Sequence, residues 1–248
     1  MKTILMGVLA AGLMSVGTVR AGEPAIIAKA RAYLGTEAAL TGVKTLHFSG
    51  SLTQGIGQAP TAHVEIYFEA PWRERIEART AGRLVETALD GFDGWQRSRD
   101  TGPGAAEPRV VVLGAPVTQS LRADTWENLN FYRGIERADG RVEDGGAASV
   151  DGVDCEKVIF IHGEGIAYVR YFDRATGRLV GTETAAGVEI REGGEIVSGG
   201  IRFPHSITTR QRDASGQVQA SVYTFDSIKV NEPLPDRYFA VPFAVTGP

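Results

Sequence analysis

The stretch KTLHFSGSL, Lys44–Leu52, is where the chain changes from the period of a helix to that of a strand. Leu46, Phe48, Gly50 and Leu52 fall on one face and Thr45, His47, Ser49 and Ser51 on the other, the pattern of a strand buried on one side. Upstream, Glu23–Leu40 carries Ile26, Ile27, Ala30, Leu34 and Ala38 at helical spacing, with Gly35 and Thr36 placed to break and restart the turn. Downstream the alternation persists. In TAHVEIYFEA, Ala62, Val64, Ile66 and Phe68 oppose His63, Glu65, Tyr67 and Glu69, and after Pro71 the run WRERIEA sets Trp72, Ile76 and Ala78 against Arg73, Arg75 and Glu77. GRLVETAL reads as a fourth strand and DGFDGW as a turn that delivers Trp95 into a fifth. Half-buried antiparallel strands in meander order predict a curved sheet or barrel.

Between about Asp100 and Gly145 the pattern weakens: a loop, the short strand RVVVL, then APVTQSLRADTWENLNFYRGIE, a helical excursion with Leu121, Trp126, Leu129 and Tyr132 as its apolar stripe. Such a stripe either packs on the core or forms a lid, since long excursions from a β framework are often binding loops. Strands resume from Ala147, with turn signals at Asp151-Gly152, Ala175-Thr176-Gly177, Gly193-Gly194 and Ser215-Gly216 that predict hairpins. GGIRFPHSITTR, Gly199–Arg210, reads as the start of a late strand, with His205 inward if Ile207 is. EPLPDRYFAVP closes the pattern, with Phe239 placed to plug something apolar. No linker divides the chain, so one domain is expected over residues 22–248.

The first residues predict export. Lys2 precedes thirteen mostly apolar residues, Ile4–Val16, and Val19 and Ala21 supply the small residues of a cleavage site, so residues 1–21 read as a cleavable signal peptide. The apolar run is short for a membrane span. Removing it leaves 24 basic against 30 acidic residues, a formal charge of −6, and without a basic excess a nucleic-acid partner is not expected. The single cysteine, Cys155, can form no intrachain disulfide and stands far from the cleavage site, so no lipid anchor is expected and a buried free thiol is. A soluble exported protein is expected.

Chemistry is sparse. The nucleophile elbow G-x-S-x-G, the phosphate loop, H-E-x-x-H and closely spaced cysteine ligands are all missing from the sequence. His63 with Glu65, and His162 with Glu164, could each begin a metal site, but nothing local supplies further ligands, so no metal or cofactor is expected. Glu189, Glu192 and Glu195 surround a hairpin turn, where charges normally keep the tip solvated. The alternating arginines and glutamates of residues 73–79 read as solvated sheet surface. What accumulates is apolar: Phe48, Ile66, Phe68, Trp72, Ile76 and Trp95 are inward by alternation and either fill a core or line a cavity.

In this order, LHFSGSL, APWRERIEA, LDGFDGW, YFDRATGRLVGTE, GGIRFPHSITT and FDSIKVNEPLPDRYFAVP resemble the periplasmic lipoprotein carriers of the LolA/LolB type and the related outer-membrane lipoprotein-sorting proteins. The resemblance covers most of the chain. It implies a mainly β fold with a few helices: an unclosed antiparallel half-barrel whose apolar concave face is covered by the N-terminal helix and a mid-chain helical lid. It also implies binding or transport of lipoprotein acyl chains or another hydrophobic ligand, without catalysis, with membrane-associated release or acceptor proteins as candidate partners. Phe48, Ile66, Phe68, Trp72, Ile76, Trp95, Leu121 and Leu129 become the candidate lining. A non-catalytic periplasmic sensor or protein-interaction module on the same fold is the alternative. In the carrier an arginine before the proline of the "R-P" strand start latches the lid; here that position is Ala70.

Overall fold

A computed structural model describes residues 23–105 and 107–242; the expected signal peptide lies outside them. The helical run forms two pieces, α1 (Ala25–Leu34) and α2 (Glu37–Thr41). They part at Gly35, and Thr36 restarts the turn by accepting the Ala39 amide on its hydroxyl at 3.2 Å. The meander follows as β1 (Thr45–Gln54), β2 (Ala62–Glu69), β3 (Arg73–Arg79), β4 (Arg83–Asp90), β5 (Asp93–Asp100) and β6 (Arg109–Val112). The excursion is α3 (Ala115–Leu129), followed by a 3-10 turn at Ile135–Ala138. The second half comprises β7 (Arg141–Val150), β8 (Val153–Gly163), β9 (Ile166–Asp173), β10 (Leu179–Thr184), β11 (Glu189–Gly193), β12 (Ile196–Ser198), β13 (Ile201–Phe203), β14 (Ser206–Arg212) and β15 (Val218–Val230).

Thirteen of these strands form one antiparallel sheet in the order β6-β5-β4-β3-β2-β1-β15-β14-β11-β10-β9-β8-β7. Its edges, β6 and β7, do not pair, so the sheet is an open half-barrel. The two edges are also consecutive strands in the chain, and their connection is α3, which is thereby carried across the concave side over β2 to β5. α1 covers the other half, packing Ile26, Ile27 and Ala30 with Val158, Phe160, Phe172 and Leu179.

Two parts of the sequence behave differently from their reading. β7 begins at Arg141 rather than near Ala147, because RVEDGG is a largely solvent-facing edge strand with a bulge at Asp144–Gly146 and so lacks apolar alternation. GGIRFPH does not open a long strand. β13 pairs back on β12 as a separate hairpin that tucks Ile201 and Phe203 into the core, and the sheet strand starts only at Ser206.

β1 and β15 join the two halves of the sheet. Their register slips between Ser49 and Gly50, and a Cβ on Gly50 would lie 2.1 Å from the Thr224 carbonyl oxygen and 2.8 Å from Phe225 Cα. Both neighbours are backbone, so no side chain can give way. Gly50→Ala is expected to cost about 2 kcal/mol and to lower the melting temperature by about 4–8 °C; an unchanged melting curve would show that the two halves are less tightly joined than this.

Candidate functional site

Alternation carries Phe48 on β1, Ile66 and Phe68 on β2 and Ile76 on β3 to the concave face, because Phe48 pairs with Ile66, and Ile66 in turn with Ile76. On the far side of β1, β15 and β14 add Phe225, Tyr223 and Ile207. Phe48 is the hub of this floor: its ring centroid lies 5.1 Å from that of Phe225, 5.8 Å from Phe203 and 6.1 Å from Phe68. Between this floor and α3 remains a cavity of about 330 Å³. That is near the lower end of small-molecule sites, roughly 300–1,000 Å³.

The other end of the cavity is polar. α3 contributes Asp124, Glu127 and Asn128, β9 Tyr168 and Arg170, β10 Thr182, and β11 Glu192. Arg170 is buried, with its guanidinium over the rings of Tyr132 and Phe160, and donates from Nη2 to Glu127. Glu127 also bonds His162 Nε2 at 2.6 Å. Glu74 of β3, 1% exposed, accepts the Thr125 hydroxyl of α3 on Oε2 at 3.1 Å, while its Oε1 has no protein donor. Burial and the neighbouring Asp124 charge push Glu74 well above the usual carboxylate range, and burial pushes Asp124 up to about 6. Burial also raises Glu192. Glu192 itself is exposed, and it borders both the cavity and a smaller pocket beside it.

The roof is fixed at its middle and at its exit. At its middle Arg122 lies 4.3 Å from the Trp72 ring and 4.0 Å from the Phe92 ring, and donates to the Gly91 carbonyl at 2.8 Å. At its exit Arg31 of α1 donates to the carbonyls of Asn130 (3.0 Å) and Phe131 (2.7 Å) and pairs with Glu37. Those bonds hold Phe131 and Tyr132 at φ of 47° and 73°, left-handed backbone that bulky residues rarely adopt, and both line the cavity.

Of the eight candidate lining residues, Phe48, Ile66, Phe68 and Ile76 border the cavity. Trp72 grips Arg122 beside it, Leu121 is half-buried on α3, and Leu129 packs into the core with Leu40 and Phe131. Trp95 faces away. It pairs with Ala88, which pairs with Arg75, placing it on the convex face, where Nε1 donates to the Phe239 carbonyl at 2.8 Å. That face is not solvated over β3 to β5: Arg75 and Arg97 converge on Glu86, and Phe239 is fully buried within 5.5 Å of Arg73. Arg73 itself is committed to Glu69, Asp90 and Asp236.

The histidines separate. His205 is exposed, since the strand alternation starts only after it. His63 and His47 both bond Glu65, at 2.7 and 2.6 Å, and His47 stacks on Tyr67 at 4.3 Å, so neither is a bare surface group. Among the described residues no group of three or more His, Cys, Asp or Glu could hold a metal ion. His162 joins the carboxylate cluster from behind, outside the cavity wall, and orients Glu127 rather than meeting a ligand. The polar end escaped the sequence reading, although YVRYF carries a signal: Tyr168, Arg170 and Phe172 share a face, and an arginine between inward aromatics needs a buried partner.

No family model and no curated protein matches the chain. Among solved structures it is similar to a DUF1329 family protein from Desulfovibrio piger, with 12% identity, a TM-score of 0.57 and coverage of 88% of this chain and 97% of that one. It is also similar to a LolA superfamily protein from Nitrosomonas europaea, with 15% identity, a TM-score of 0.53 and the same coverage. At these identities the likeness is one of fold: the chain has a LolA/LolB-like fold.

Burial of these two carboxyls fixes a pH dependence. Glu74 and Asp124 keep protons at a pH where the unfolded chain, near 4.5 and 3.8, has lost them, so their contribution is full at low pH and is lost as pH rises through the folded values, about 6 for Asp124 and above the usual range for Glu74. Glu74→Gln removes one titrating group. From about pH 4 to about pH 8 its melting temperature is expected to fall less than that of the wild type; parallel curves would refute a raised Glu74 carboxyl.

Proposed function

We propose that this chain is a non-catalytic periplasmic carrier or binding protein for a hydrophobic ligand of the lipoprotein-sorting type, such as an acyl chain, working as one domain (residues 22–248) after removal of residues 1–21. The observation that carries the reading is the roofed cavity of about 330 Å³ with an aromatic and aliphatic floor. A filled interior would have left no such space, since folded cores pack to near crystal density. Its size suits one chain or one small amphiphile rather than a bundle of several chains. Phe48, Ile66, Phe68 and Ile76 are the proposed contacts along the chain. Lipoprotein cargo, and release or acceptor proteins at a membrane, are the finer parts of the proposal. No helix among the described residues is long and apolar enough to cross a membrane.

One observation favours the protein-interaction alternative. The edge strand β6 exposes Val110, Val111 and Val112 beside unpaired backbone, while Phe92 (78% exposed) and Val117 (48%) are apolar and open nearby in the chain.

The test combines native mass spectrometry of protein purified under mild conditions with binding of the uncharged probe N-phenyl-1-naphthylamine. Co-purifying lipid and saturable probe binding are expected; absence of both would end the carrier reading. Ile207→Trp, which puts an indole into the cavity, is expected to weaken probe binding at least about tenfold. Trp95→Phe, which alters only the convex face, should leave it unchanged.

A further inference from the structure

The polar end of the cavity has an uneven charge balance. Three carboxylates line it, Asp124, Glu127 and Glu192, with Glu74 directly behind Asp124. Two arginines line it as well, and both are spoken for: Arg170 pairs with Glu127, and Arg202 donates from one nitrogen to both oxygens of Glu195 at 2.7 and 2.8 Å. Asp124 and Glu192 have no cation in contact among the described residues. Arg170 is nine-tenths buried, and its Nε finds no acceptor. Buried polar groups are ordinarily matched, so this end offers a ligand two carboxylates and one orphan N–H.

We propose that the cavity selects single-chain amphiphiles with a cationic head: the chain lies along the Phe48–Phe225 floor, and an ammonium pairs with Asp124 and Glu192. The inference rests on the carrier reading and narrows it. A hydroxyl or ester oxygen beside the ammonium would serve the Arg170 Nε. A free fatty acid or a phosphate head is disfavoured, because it would meet three carboxylates in a low-dielectric space where the nearest arginine is already neutralised. Proton linkage supports the same choice. Burial holds Asp124 and Glu192 above the usual carboxylate range, and an adjacent ammonium favours their ionised form, so binding should release protons.

The experiment uses the full exported chain loaded with N-phenyl-1-naphthylamine at pH 7.5. Dodecylammonium, dodecanol and dodecanoate, of equal chain length and below their micelle concentrations, compete for it. Dodecylammonium is expected to displace the probe at concentrations about tenfold lower than either competitor. Titration calorimetry near pH 6, in two buffers of different ionisation enthalpy, should show proton release for the amine only. Asp124→Asn combined with Glu192→Gln should abolish the preference and the proton release while the probe still binds, which also shows that the variant is folded. Probe binding with dodecanol or dodecanoate displacing as well as the amine overturns the head-group inference and leaves the carrier reading standing. Failure of the wild type to bind the probe at all overturns both.

Discussion

The ion pair between Glu127 of α3 and Arg170 of β9 is the tie on which the cavity depends. It joins the helix that bridges the open edges of the half-barrel to a strand in the far half of the sheet, and His162 fixes its geometry from behind. A buried pair of this kind adds little net stability, because desolvating both charges offsets most of their attraction. Its effect is positional. Breaking it would leave an uncompensated buried charge, so α3 has one height above the sheet at which its glutamate is satisfied. Thr125, whose hydroxyl donates to Glu74, sets that height over β3, and Arg122 between Trp72 and Phe92 sets it at the middle of the helix. Apolar residues at 124 and 127 would let the helix settle onto Phe48 and Phe68 and close the space, as close packing favours. The polar roof holds the apolar floor open.

The convex face follows a different constraint. The run Pro235–Ala240 lies against β2 to β5: Arg75 donates to the Tyr238 carbonyl at 2.6 Å, Trp95 to that of Phe239, and Tyr238 packs on Tyr67. The sheet is therefore buried on both sides there. This explains why the sequence revealed the strands but misplaced Trp95. Alternation tells which residues share a side of one strand; it does not say which side is concave, and an aromatic residue marks the concave side only where the other faces water. Phe48, Ile66, Phe68 and Ile76 were legible because short turns transmit one parity through β1, β2 and β3. The turn at Gly91-Phe92 sets Trp95 opposite Ala88, on the other side.

The polar end was illegible for a related reason. On α3 the sequence RADTWENL spreads its charges without a clean apolar stripe, which is how a solvated helix also reads. Its acidic residues acquire meaning only when the sheet topology brings Glu74, His162 and Arg170, far apart in sequence, beneath them. Glu192 beside Gly193-Gly194 resembled a turn charge, yet its strand parity with Ile190 carries it into the cavity. The break in the helix before β1, by contrast, was readable at Gly35 and Thr36, since these act through local backbone geometry alone.

Topology also limits how anything reaches the cavity. A smaller pocket of about 100 Å³ adjoins it, sharing Leu34, Glu192, Arg202, Phe203 and Pro204 with the main space. This junction lies beneath the β12–β13 hairpin, whose strands are the ones among those described that stand outside the large sheet. Opening the wall elsewhere breaks ladder hydrogen bonds or the polar ties of α3. Lifting the hairpin breaks its bridge to Gly35 and the apolar packing of Ile201 and Phe203. Gly199 and Gly200, at φ of 58° and 76°, form its tip, and the Gly200 carbonyl approaches Gly35 so closely that a Cβ there would meet it at 2.7 Å. Glu192 and Arg202 stand at this junction while Phe48 and Phe68 line the main space beyond it. A chain lying across this junction has its tail on the Phe48 floor and its head among the charges, the polarity that the cavity itself sets.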